Sequence, residues 1–158
     1  VQADRIASDR AHRVLPADVT AHEPIKLDAS AFSAIIAVAV GSALGGVARY
    51  LIGSWFLARF GVGFPWGTFF INVTGSFLIG FVAELALSRA YGVTPLVRLF
   101  TATGILGGYT TFSTYSLETA NLMSQGSAPT AMLYAGGSAV AGVAGVFAGQ
   151  FLARALVR

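Results

Sequence analysis

The chain contains no cysteine, which excludes disulfides, thiolate metal sites and cysteine nucleophiles. Charge is scarce as well. Asp, Glu, Lys and Arg make up 11% of the 158 residues, where a soluble domain carries about 25%. The deficit falls mainly after residue 30: of the 10 basic and 7 acidic side chains, only eight lie in residues 31–158. The two histidines, His12 and His22, precede that region, so the apolar part lacks the side chains for His-based metal or proton chemistry. No nucleophile–base pair stands out, and catalysis has no candidate site. Long runs without charge are what remains.

Hydrophobic residues reach 55% and mean hydropathy is +0.71. Four apolar stretches run from about Ala31 to Leu57, Trp66 to Leu87, Pro95 to Met123 and Pro129 to Leu156. Each exceeds the roughly 20 helical residues that cross a hydrocarbon core. The connections at Ala58–Pro65, Ser88–Thr94 and Ser124–Ala128 are short, which turns neighbouring helices antiparallel. The pattern predicts an all-α membrane protein of four transmembrane helices over residues 31–158. Residues 1–30 read differently: charges and small residues are mixed there without a period or an apolar signal core, as in a disordered cytoplasmic tail.

The formal charge of +3 reads as a topology signal, with no nucleic-acid footprint. Lys26, Arg89, Arg98, Arg154 and Arg158, with Arg5, Arg10 and Arg13 of the tail, fall on one side, and Arg59 alone falls on the other. By the positive-inside rule both termini are expected in the cytoplasm. Small residues supply the packing. Gly41 and Gly45 form one GxxxG pair, and Gly137, Ala141, Gly145 and Gly149 recur on one face of the last helix. Such faces serve intramolecular packing or a dimer contact equally well. Four helices enclose little space, so a pathway of this size calls for an oligomer.

Polar residues gather in the second and third spans. Gly104, Gly107 and Gly108 precede Thr110, Thr111, Ser113 and Thr114 in mid-span. Two readings stand for this segment. It is a continuous helix whose Gly and Thr residues pack, or it breaks near its centre, freeing carbonyls for a cation and hydroxyls for an anion. Phe112 and Tyr115 share a face at i, i+3 and present positive ring edges, or they pack as ordinary core. Asn72 donates either to an anion or to another helix. Arg49 snorkels to the interface or faces a vestibule. Tyr134, Ser138 and Gly142 form a stripe that Gly142 leaves without a hydroxyl. Glu84 and Glu118 lie within a turn or two of their span ends, away from the midplane.

The motifs Gly45-Gly46-x-x-Arg49-Tyr50, Gly67-Thr68-x-x-x-Asn72-x-x-Gly75-Ser76 and Gly107-Gly108-x-Thr110-Thr111-Phe112-Ser113-Thr114-Tyr115-Ser116-x-Glu118 resemble those of the Fluc/CrcB family of fluoride channels, over about residues 32–155. The resemblance implies an antiparallel, dual-topology dimer in the plasma (inner) membrane, carrying fluoride through two pores. It implies a structural Na⁺ at the dimer interface, held by the carbonyls of Gly107 and Thr110. Asn72, Thr111, Ser113 and Thr114 would donate to fluoride, Phe112 and Tyr115 would flank it, Arg49 would line a vestibule, and Tyr134 and Ser138 a polar track. Tyr115 stands where the family usually has Phe, and Gly142 where it usually has a hydroxyl. The one-sided charge suggests pairing with a homologous chain of opposite orientation as the alternative to a homodimer. A proton-coupled multidrug-type exporter would need an acidic residue in the first span, which has none. A non-transporting assembly subunit would leave the polar clusters unexplained.

Overall fold

In a computed structural model, residues 28–88 and 92–157 are described, and these are helical with no strand among them. The charged tail, Arg89 and Arg158 lie outside the described residues, so the expectations for the tail and most of the charge asymmetry do too. Helix α1 spans Ala29–Phe60 and α2 Trp66–Leu87. The third region comes in pieces: α3 at Pro95–Arg98, a π-helical stretch Leu99–Leu106, α4 at Gly107–Tyr109 and α5 at Phe112–Ser124. Helix α6 spans Ala128–Val157. Three of these, α1, α2 and α6, are long and apolar enough to cross a membrane.

Local chemistry sets the ends. The Asp28 carboxylate accepts the Ala31 N–H at 2.8 Å and starts α1 two residues earlier than the apolar run indicates. Gly61, at φ 71°, closes the helix with its N–H on the Leu57 carbonyl at 2.9 Å, a conformation that costs glycine little. Thr94 caps α3, where Pro95 occupies the first turn and needs no amide partner.

Helix pairing follows the glycines. Gly41 and Gly45 lie against the backbone of Phe100, Gly104, Ile105 and Tyr109, so α1 touches the interrupted region with no side chain between. Gly80, Gly145 and Gly149 do the same between α2 and α6, against Val146, Val73 and Phe77. These glycines serve intramolecular packing, whereas a Cβ at Gly137 would have no neighbour within 4 Å. The buried apolar core is small (Ile71, Leu106, Tyr109, Leu122, Ala131, Tyr134 and Ala153), and many more large apolar side chains are exposed. That distribution suits a lipid solvent, in which an apolar exterior costs nothing.

Candidate functional site

The interruption is two residues long. Thr110 (φ −78°, ψ 158°) and Thr111 (φ −152°, ψ 114°) are extended, whereas Gly107 and Gly108 remain helical. A continued helix would place the Thr111 N–H on the Gly107 carbonyl. Instead Thr111 donates to Asn72 Oδ1 at 2.9 Å, and Asn72 Nδ2 donates to the Thr111 carbonyl at 3.1 Å. One carboxamide on α2 thus satisfies both polar groups of an extended residue, as a neighbouring strand would. Membrane-depth backbone needs such a partner. Thr111 also caps α5, its Oγ1 accepting the Thr114 N–H at 3.2 Å and donating to Thr114 Oγ1 at 3.0 Å. The N-terminus of α5, with its partial positive charge, therefore faces the break.

Two cavities meet there. One of about 510 Å³ takes in Asn72, Ser76, Gly107, Thr110, Thr111, Phe112, Tyr115, Ser138 and Gly142. The other, of about 830 Å³, takes in Arg49, Thr111, Thr114 and Glu118. Thr111 borders both. Phe112 and Tyr115 have ring centres 5.5 Å apart, and Phe112 is 78% exposed. The Tyr115 hydroxyl donates to the Ala135 carbonyl at 3.1 Å, which supplies the partner that a phenol in an apolar layer needs. Ser138 is buried, and its Oγ has no hydrogen-bond partner. Two residues singled out from the sequence lie elsewhere. The exposed Ser113 borders neither cavity, its Oγ 3.3 Å from Thr111 Oγ1. Tyr134 is fully buried and also borders neither.

Sequence reasoning passed over two residues. Glu118, set aside as close to a span end, accepts from Thr68 Oγ1 at 2.9 Å and from the Tyr134 hydroxyl at 2.7 Å. Its place as the last residue of the third motif was the available signal. Ser76 is the second. A Cβ on Gly142 would sit 3.4 Å from Ser76 Oγ, so α2 brings a hydroxyl to the point where α6 lacks one. Arg49 lies 11 residues before the end of α1, roughly 16 Å along the axis, and half-buried on the larger cavity. It has no ion-pair partner among the described residues.

Apolar spanning helices around an interrupted one, with neutral donors gathered at the interruption, define the class of small helical membrane proteins that pass solutes. Within that class, the chain belongs to the CrcB family: the family described as CrcB-like protein, Camphor Resistance (CrcB), matches residues 36–150. Relatives include a protein named fluoride-specific ion channel FluC from Rhizobium meliloti (strain 1021), 50% identical over 123 residues covering 78% of this chain and 98% of the relative. Proteins of the same name from Roseiflexus sp. (strain RS-1) and Thermus thermophilus are each 48% identical, over 77% and 76% of this chain and 98% and 93% of their own lengths.

Proposed function

We propose that the chain is a fluoride-selective ion channel that exports fluoride passively and protects the cell from its toxicity. It is a channel and not an enzyme, as its relatives' names indicate. The observation that carries the mechanism is the two-residue interruption, held by Asn72, which leaves hydroxyl, amide and ring-edge donors around one cavity. Fluoride is small and strongly hydrated, so fixed donors must replace its water. Asn72 spends one Nδ2 hydrogen on Thr111 and retains the other. The Ser138 hydroxyl and the edges of Phe112 and Tyr115 add donors on that cavity, and the Thr114 hydroxyl adds one on the larger cavity, while the Thr111 hydroxyl spends its hydrogen on Thr114. Arg49 raises the anion concentration in the larger cavity. Tyr134 and Thr68 engage both oxygens of Glu118, which lowers that carboxylate's repulsion of an entering anion.

The pieces from Pro95 to Ser124 make the fourth span in this reading. The exposure of Phe112 favours a dimer in which a second subunit, a copy in antiparallel orientation or a homologous chain of opposite orientation, closes the pathway and brings Ser113 into it. Among the described residues no three His, Cys, Asp or Glu side chains cluster, so a structural Na⁺ at the dimer interface would rest on neutral oxygens. Gly107 and Thr110 border one cavity, and the Gly107 carbonyl has lost its helical donor to Asn72. That fits a carbonyl site completed by both subunits, where the ion would supply positive charge between them. The setting is the inner membrane, with both termini cytoplasmic in the favoured orientation of this chain.

Ion efflux from proteoliposomes, followed with fluoride and chloride electrodes, tests this. Fast fluoride loss without chloride loss, abolished by Phe112→Ile, is the expected result. Silence from this chain, alone and with a homologous chain of opposite orientation, would remove the reading.

A further inference from the structure

A third cavity, away from the interruption, opens between the outer faces of α1 and α2. Its volume is about 480 Å³ and its walls are Leu51, Ile52, Trp55, Phe56 and Phe70, with no polar side chain among them. The aromatic walls brace one another. Phe56 lies 5.1 Å from Phe70 and 5.0 Å edge-on to Trp55, and it stacks on Phe60 at 5.6 Å. A wall built of interlocked rings does not collapse to fill the space.

Position along α1 identifies what fills it. Ile52, Trp55, Phe56 and Arg59 follow the i, i+3, i+4, i+7 spacing of one helix face, so Arg59 stands one turn above the groove, towards the end of the helix. Phe60 and Trp66 mark that level with aromatic rings, as interfacial residues do. The groove descends from about 6 to about 14 Å below Phe60 at 1.5 Å per residue, within reach of the upper part of an acyl chain. Arg59 is exposed, lies over the Phe60 ring at 5.8 Å and has no ion-pair partner among the described residues.

We infer that this groove is a phospholipid site, taking one acyl chain between Trp55 and Phe70 and the phosphate of an anionic headgroup on Arg59. Apolar walls alone would accept any lipid tail. The unpaired guanidinium one turn above them selects for negative charge, and its fork geometry suits phosphate oxygens.

Trp55 and Trp66 are the two tryptophans of the chain, so the groove carries its own reporter. In a Trp66→Phe background, Trp55 fluorescence is quenched by phospholipids brominated along the acyl chain. Vesicles of defined mixtures present the same lipids in both leaflets, so the readout is independent of insertion orientation. Brominated phosphatidylglycerol is expected to compete for the site about fivefold better than brominated phosphatidylcholine, the ratio one basic side chain gives near an anionic surface. Arg59→Lys retains the preference, and Arg59→Gln abolishes it while leaving quenching by both lipids. Equal competition by the two lipids overturns the proposal, as does a preference that survives Arg59→Gln. If Trp66→Phe disturbs folding, the two-tryptophan protein with and without Arg59→Gln gives the same comparison. No fluoride flux enters the readout, so its failure is distinguishable from failure of the channel reading.

Discussion

Asn72 and Thr111, 39 residues apart, are joined by two hydrogen bonds, with the carboxamide oxygen on the Thr111 N–H at 2.9 Å and its nitrogen on the Thr111 carbonyl at 3.1 Å. The break in the third region is held from outside, by a side chain of another helix. A partner that matches both groups of one peptide residue makes an extended conformation tolerable where water is absent.

Asn72→Ala is therefore expected to do more than remove a donor. It leaves the Thr111 amide and carbonyl without their partner, at about 1–3 kcal/mol for each unsatisfied group. Fluoride efflux should fall more than tenfold, with a lower thermal midpoint in detergent. Asn72→Asp should be no better, because a carboxylate cannot donate to the carbonyl. Normal flux in either variant would show that the clamp is dispensable.

Tyr115→Phe separates ring from hydroxyl. The variant loses the bond to the Ala135 carbonyl, a membrane hydrogen bond worth about 0.6–2 kcal/mol, and keeps the ring edge. Efflux should fall far less than in Asn72→Ala, because the ring edge is kept, while thermal stability drops. A large change in flux at unchanged stability would place the hydroxyl on the ion's path.

Ser76 and Gly142 face each other across α2 and α6. Ser76→Ala should slow fluoride efflux, by roughly threefold to tenfold if one donor worth about 1 kcal/mol is lost. Gly142→Ser on that background should restore part of it, because the only atom within 4 Å of a Cβ there is the Ser76 Oγ that the first substitution removes, which leaves room for the new hydroxyl. Separate, additive losses in the two variants would deny that one hydroxyl replaces the other.

Glycines on the packed faces should tolerate nothing larger. A Cβ on Gly149 would overlap the Phe77 carbonyl and lie 2.8 Å from the Phe81 amide nitrogen. Overpacking of this kind costs about 1–3 kcal/mol. Gly149→Ala should therefore unfold at lower temperature than the parent, whereas Gly46→Ala, with no neighbour within 4 Å of its Cβ, should melt at or slightly above it, as Ala for Gly in a helix interior allows.

At the start of α1, the Ala31 N–H and then the Ser30 side chain hold the Asp28 carboxyl below the usual carboxylate range. A depressed value means the cap's contribution is present above the unfolded carboxylate's titration and lost as pH falls through the folded value. Amide exchange at Ala31 should thus be protected at neutral pH, and the first turn should fray as pH falls through the folded carboxyl's lowered value. Asp28→Ala should abolish that pH dependence.

The chain's membrane class was written in its composition. Runs of twenty or more uncharged residues have only one comfortable solvent, and α2 runs from Trp66 to Leu87, the limits its apolar run already marked. The motifs around Asn72 and Phe112 likewise identified the family, because residue type and spacing carry that information without coordinates. The break was legible as one of two possibilities, and its position was not. Glycine favours unwinding, yet Gly107 and Gly108 stay helical, because the residue that unwinds is the one whose peptide groups find a partner on another helix. Ser76 beside Gly142, the engagement of Glu118 by Tyr134 and Thr68, and the lipid-facing groove beneath Arg59 also depend on which side chains meet between helices. Sequence spacing determines which residues share a face. Only the packing of backbone on glycine, which sets how closely and at what register two helices approach, decides what each face meets.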